Sequence, residues 1–132
     1  MIGLVLISHG PLAGGFRDAA EMIMGTQEAL AVLGLEPAQD MDRFQADLTA
    51  AVGSVDRGSG VLILADLFGG SPANTSAYLL GPSVEVVCGL SLPMLLEVLG
   101  FREQGTLTDL ALLAVAAGAE AAVRLADKLA QQ

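Results

Sequence analysis

The only imidazole in the chain stands where its first apolar run stops: Ile2-Gly3-Leu4-Val5-Leu6-Ile7-Ser8 leads directly to His9, with Gly10, Pro11, Gly14 and Gly15 close behind. An imidazole can serve as nucleophile or base near neutral pH, and which nitrogen does so is set by what the other one binds. A carboxylate ends the strongest apolar run, Gly60-Val61-Leu62-Ile63-Leu64-Ala65-Asp66. Against Nδ1, such a carboxylate accepts the ring proton, fixes the tautomer and leaves the Nε2 lone pair free. It also stabilises the positive ring that forms when Nε2 becomes substituted. The segment that follows, Leu67-Phe68-Gly69-Gly70-Ser71-Pro72, has glycines that allow close backbone approach. It then has a helix start whose unpaired N–H groups and Ser71 hydroxyl suit an anion. Histidine nucleophile (His9), orienting carboxylate (Asp66) and phosphate cradle (Gly69, Gly70, Ser71) together describe a transient phosphohistidine.

Taken singly, each piece has a plainer reading. His-Gly is a common turn, an aspartate often caps a strand end, and Gly-Gly-Ser-Pro makes a sharp strand-to-helix turn. The case for chemistry rests on whether the fold brings them together. Short apolar runs at about 2–8, 29–35, 60–66 and 83–88 alternate with segments of helical period at about 12–25 and 40–55. Further helices are predicted from Ser71-Pro72 (Ser as N-cap, Pro at the first helical position) to about Leu80, and from the loop Gly89–Met94 to Gly100. A last, long helix is expected from Thr106 to the C-terminus, with Leu110, Leu113, Ala114, Ala117, Ala121, Leu125 and Leu129 as its apolar stripe. In the first helix the stripe is Phe16, Ala19, Ala20, Ile23 and Met24.

Strands alternating with helices imply right-handed crossovers and a doubly wound, mainly parallel α/β sheet with helices on both faces. Four such strands are most simply ordered 2-1-3-4. The switch point then falls between the first and third strands, and ligands bind beyond the carboxyl ends of those two. Those ends carry His9 and Asp66, 57 residues apart in sequence. Gly10, Met24, Pro93 and Met94 are the expected rim of the site or partner contacts.

Composition bounds the function. With 132 residues the chain is read as a single domain, and its core must be aliphatic because hydrophobic residues make up 53% and aromatics 4%. A net charge of −9 repels a phosphate backbone and argues against nucleic-acid binding. The lone Cys88 excludes an internal disulfide and a cysteine-based zinc site, and is read as a small buried residue. Neither Gly-x-x-x-x-Gly-Lys-Ser/Thr nor Gly-x-Gly-x-x-Gly occurs, so phosphate is expected from another protein or a small molecule rather than from a bound nucleotide. No cofactor and no metal are expected. The N-terminus lacks the basic start of a secretory signal, and no apolar run reaches the ~20 residues of a membrane span, which places the protein in the cytoplasm.

At these residues the chain resembles the enzyme IIA component of the mannose family of the bacterial sugar phosphotransferase system. The matching pieces are Ile7-Ser8-His9-Gly10 with Ala20–Gly25, Gly60–Asp66 leading into Phe68–Asn74, and Gly89-Leu90-Ser91-Leu92-Pro93-Met94-Leu95. They occur in the family's order across nearly the whole chain. The resemblance implies that the histidine-containing phosphocarrier protein phosphorylates His9 on Nε2, and that phosphate passes to a IIB component for sugar uptake through the membrane IIC and IID components. It implies that Asp66 orients His9 and that the Gly70-Ser71 region holds the phosphoryl group. It also implies a homodimer. Some members end in an exchanged C-terminal strand and a linker to a IIB domain. This chain ends in Lys128-Leu129-Ala130-Gln131-Gln132 without either, which reads as a free-standing IIA.

Three alternatives share parts of the pattern. The metal chelatases of tetrapyrrole synthesis also begin with a strand and His-Gly, but need a further ligand and this chain has one histidine. The phosphotransfer subunit of dihydroxyacetone kinase resembles the same fold, although the Phe68–Pro72 and Leu92–Met94 blocks favour the mannose branch. A regulatory phosphoprotein without a transport role would use the same chemistry.

Overall fold

The apolar runs and helical periods assemble, in a computed structural model describing residues 1–131, into four strands and six helices. In chain order these are β1 (Gly3–His9), α1 (Leu12–Met24), β2 (Leu30–Leu35), α2 (Met41–Val55), β3 (Val61–Ala65), α3 (Ser71–Ser76), β4 (Val84–Cys88), α4 (Leu92–Phe101), α5 (Leu107–Glu120) and α6 (Leu125–Ala130). The strands form one parallel sheet in the order β2-β1-β3-β4, the predicted arrangement.

The central strands explain that order. Leu4 to Ile7 of β1 and Val61 to Ala65 of β3 are all fully buried, so both faces of the sheet must be covered. Leu4, Leu6, Leu62, Leu64 and Val87 pack with residues of α1, α4 and α5, among them Ala13, Ala20, Leu95, Val98, Leu110 and Ala114. Val5, Ile7, Val61, Ile63 and Ala65 pack on the other side with Phe44, Leu48 and Val55 of α2 and Ala73 of α3. The edge strands β2 and β4 are mostly half-buried.

Local chemistry sets several helix starts. The Asp40 side chain accepts from Asp42 N–H at the head of α2. Ser91 accepts from Met94 N–H at the head of α4. Thr106 and Asp109 form a reciprocal capping box on α5. The paired backbone N–H and hydroxyl of Thr106 hold the Asp109 carboxyl below the usual range.

The long C-terminal helix is not formed. α5 ends at Glu120, four residues intervene, and α6 begins at Leu125. Helices of this kind are held by the face they bury rather than by propensity. The buried residues of α5 stop at Ala114, and α6 buries none. Of the expected stripe, Leu110 and Ala114 reach the core, while Leu125 and Leu129 are exposed at 69% and 57%. Arg124 is extended and its guanidinium bonds Asp127 instead of continuing a helix. The last residue of the predicted helix, Gln132, lies outside the described residues.

Three smaller differences follow from packing. The helix expected from Ser71 to Leu80 tightens after Ser76 into a 3-10 turn at Ala77–Leu79. Gly70, not Ser71, is the residue in the N-cap position of α3. In α1, Ala20 is buried but Ile23 and Met24 are exposed, because the helix runs past the edge of the face it covers.

Candidate functional site

His9 is the last residue of β1, and Asp66 follows directly on β3. Parallel pairing sets Ile7 opposite Ala65, the last residue of β3, and β1 runs two residues further to His9, so Asp66 and His9 leave their strands close together. Asp66 N–H also donates to the Ile7 carbonyl, continuing the ladder by one bond. The order β2-β1-β3-β4 thus puts the two side chains on neighbouring strand ends.

One carboxylate oxygen of Asp66, Oδ2, lies 2.8 Å from His9 Nδ1 and accepts the His9 backbone N–H at 2.9 Å. The other oxygen, Oδ1, accepts Leu67 N–H at 2.9 Å. Burial alone would raise the Asp66 pKa. The bonds from the His9 backbone and ring and from Leu67 outweigh it and hold the carboxyl below its usual range. Asp66 is therefore ionised at neutral pH and can only accept, so the proton between the two groups belongs to Nδ1. The side chains differ sharply in exposure, 50% for His9 and 7% for Asp66. The orienting group is enclosed while the ring it orients reaches solvent.

Nε2 makes no hydrogen bond among the described residues. Gly70 is packed against that edge of the ring. A methyl group in place of its hydrogen would stand 2.8 Å from His9 Cε1 and 3.4 Å from Nε2. The glycine lets the α3 entry loop lie against the ring. Gly69 takes φ +87°, a left-handed conformation that suits glycine. The backbone N–H groups of Gly69, Gly70 and Ser71 have no protein acceptor among the described residues. Ser71 also lines a recess of about 310 Å³ with Met41, Gln45, Asn74 and Tyr78.

A cleft of about 340 Å³ opens on the other side of the ring, lined by His9, Gly10, Leu35, Glu36, Pro37, Ala38 and Gln39. Its far wall is the loop after β2. There Ala38 holds φ +60°, and Gln39 braces the loop by accepting Glu36 N–H at 3.0 Å. None of these loop residues is among the expected rim. The strand order held the missing signal, since a strand adjacent to β1 must deliver its C-terminal loop beside His9.

The rim residues are divided. Gly10 lines the cleft at φ +56° and donates its N–H to Leu35 O at 2.7 Å. Met24 ends α1, about 18 Å along the axis from Leu12, and so faces the opposite end of the sheet rather than His9. Met94 is 3% exposed and packs toward Gly118, so it is a core residue instead of a rim residue. Pro93 is exposed and lines an α4–α5 groove with Leu96, Glu97, Leu113 and Glu120, which does not include His9. Leu67 and Phe68, exposed at 47% and 87%, form an apolar margin beside Asp66. The half-buried Cys88 thiol is pushed up by burial and by the Asp66 charge, so it stays protonated and does not compete as a nucleophile.

Among the described residues no group of three His, Cys, Asp or Glu is arranged to hold a metal ion, and no helix is long and apolar enough to cross a membrane. Comparison with known proteins bears on the same residues. The mannose-specific EIIAB component of the phosphotransferase system of Escherichia coli K12 is 32% identical over 130 residues, covering 96% of this chain but 40% of that protein. The chain thus spans about two fifths of that relative. The fructose-specific EIIA component of Bacillus subtilis is 30% identical over 112 residues, covering 83% of this chain and 77% of that one. Among solved structures, phosphotransferase system component EIIA from Streptococcus agalactiae superposes with a TM-score of 0.87 at 26% identity, over 96% of this chain and 99% of that one. Residues 3–115, which hold the whole sheet, His9 and Asp66, match the family described as PTS system fructose IIA component, EIIA-man, and the chain belongs to that family.

Proposed function

We propose that the protein is a phosphocarrier in which His9 Nε2 receives a phosphoryl group from the histidine-containing phosphocarrier protein and passes it to a IIB component for sugar uptake. The observation that carries this reading is the 2.8 Å contact between Nδ1 and the ionised Asp66, which leaves Nε2 as the free nitrogen at the solvent-facing edge of the ring. The Nε2 lone pair attacks phosphorus, the N–P bond forms, and the donor's own N–P bond breaks with its electron pair returning to the donor ring. His9 keeps its Nδ1 proton throughout, so the phosphorylated ring is cationic and Asp66 offsets that charge. The unpaired backbone N–H groups of Gly69 to Ser71, in the loop that Gly70 brings against the ring, would serve as donors for the phosphoryl oxygens. The second transfer reverses the first, with the IIB nucleophile as acceptor.

The margin of Leu12, Leu67 and Phe68 around His9 is the surface on which the two partner proteins would dock in turn. The same reading takes the chain as a homodimer. Val123, Leu125 and Leu129 are exposed, α6 buries none of its residues, and sedimentation measures whether they are covered in solution.

Incubation with the phosphocarrier protein, its upstream kinase and phosphoenolpyruvate should give one acid-labile, base-stable phosphate per chain. Label on any residue other than His9 would refute the assignment. Asp66→Asn should retain the fold but slow transfer by about 10- to 100-fold, because an amide can present a donor where the ring needs an acceptor. An unchanged rate would reduce Asp66 to a loop cap.

A further inference from the structure

We propose that Ser8 and Gly34 are positioning residues that clamp the turn carrying His9. The inference rests on the reading of His9 as the nucleophile. By strand alternation Ser8 points with Leu4 and Leu6 into the aliphatic core beneath α1, where another leucine or valine would be expected. It is fully buried, and a buried hydroxyl is unfavourable unless its hydrogen-bonding capacity is used. Here both capacities are used, one on each side of the His9–Gly10 turn. The Ser8 oxygen accepts Ala13 N–H at 2.8 Å, and its proton is directed to the Gly10 carbonyl at 3.3 Å. The residue at the N-cap of α1, Pro11, supplies no side-chain cap, so the strand hydroxyl closes the first turn in its place.

Gly34 holds the same turn from the neighbouring strand. A methyl group on its Cα would stand 2.1 Å from the Gly10 oxygen and 3.1 Å from the Gly10 carbonyl carbon. Both are backbone atoms, so no side-chain rotation relieves the clash. Glycine at 34 therefore lets β2 lie flush against the Gly10 peptide, whose own N–H donates to Leu35 O at 2.7 Å. With the His9 N–H bound to Asp66, the backbone on both sides of the imidazole is tied down by three elements: β2, the head of α1 and the end of β3. The ring is half exposed, held by Asp66 at Nδ1 and flanked by Gly70 along its Nε2 edge, so its aim depends also on the backbone that carries it.

Threonine and valine at position 8 have the same size and differ only in the hydroxyl, which isolates its role from packing. Ser8→Thr should transfer phosphate within about twofold of the parent, whereas Ser8→Val should lose about tenfold at saturating donor with KM unchanged. In Ser8→Val the downfield proton resonance of the Nδ1–H···Asp66 bond should broaden through faster exchange; in Ser8→Thr it should persist. Gly34→Ala should lower the rate at least as much as Ser8→Val, with its far-ultraviolet circular dichroism unchanged. Equal rates in the Thr and Val variants, whether both normal or both reduced in step with lost stability, would overturn the clamp. So would an unaltered Nδ1 resonance in both Ser8→Val and Gly34→Ala. Failure of the phosphohistidine reading would show separately, as label surviving in His9→Ala, and the resonance comparison would still decide the clamp.

Discussion

The two ends of the sheet each use one charged side chain to fasten a loop, and they do so to opposite effect. At the carboxyl end, Asp66 binds the His9 ring, the His9 backbone and the Leu67 backbone. At the amino end, Arg102 follows α4 and turns its guanidinium inward to the loop between α1 and β2. It donates to Ala29 O at 3.1 Å, to Gln27 Oε1 at 3.3 Å and, closely, to Glu28 O. Arg102 is 2% exposed, faces carbonyl oxygens rather than a paired carboxylate, and its pKa is lowered by burial, which the charges of Glu103 and Glu28 only partly oppose. At that end the guanidinium is enclosed and every bond it makes stops at a carbonyl oxygen. At the other end the carboxylate is satisfied and enclosed, but the group it holds keeps one nitrogen open to solvent. Arg102 can only fasten its loop, whereas Asp66 leaves its partner one free nitrogen for the proposed chemistry.

Removing the central group at each end tests that contrast most strongly. His9→Ala should abolish phosphate labelling completely while shifting the thermal midpoint little, since the ring is half exposed. A variant that no longer folds would show that the ring is structural after all. Arg102→Ala should do the reverse. It removes three hydrogen bonds and the packing of a fully buried side chain and should cost about 3 kcal/mol in denaturant unfolding, yet leave the folded protein fully phosphorylatable. A transfer defect exceeding the loss of folded protein would mean that the two ends are coupled.

Gly70→Ala sharpens the comparison within the site. Its methyl group would press on His9 Cε1 from 2.8 Å, and misalignment of this kind should slow transfer by about 30-fold with stability nearly unchanged. The smallest effect is the pH dependence of stability. Asp66 has a folded-state pKa below its unfolded value, so its contribution is fully present above the ordinary value of 3.8 and is lost as pH falls through the lower folded value. Replacing Asp66 by Asn should therefore flatten the acid limb of the stability curve and leave its shape near neutrality unchanged. An acid limb identical to the parent's would show that the carboxylate gains nothing from His9 on folding.

The architecture was legible because it depends on local patterns that a linear chain displays. Continuous apolar runs ending in His9 and Asp66, separated by helical periods, admit few orders, and 2-1-3-4 is the one found. The approach of His9 to Asp66 followed from that order alone. Less legible were the features set by where a face ends. Met24 and Ile23 continue a good helical stripe in α1 but lie beyond the surface it covers. Met94 stands next to Pro93 in a loop-like sequence, yet a helix start at Leu92 turns it into the core. Leu125 and Leu129 keep period with α5 after its contact surface has ended. Periodicity reports which residues could share a face; it does not report how far the opposing face extends.

Sequence by itself determined the sheet order, the helix entries at Asp40, Ser91 and Thr106, and the pairing of one imidazole with one carboxylate at the switch point. These follow from side-chain type and spacing, which act over a few residues and combine through a small set of permitted connections. Only the tertiary structure decided the rest. It put the inward Ser8 hydroxyl between Ala13 and Gly10, required glycine at 34 and 70 by direct backbone and ring contact, and turned Arg102 into the amino-end loop. Such contacts join residues whose separation along the chain carries no signal, and their strength depends on a few tenths of an ångström that only close packing sets.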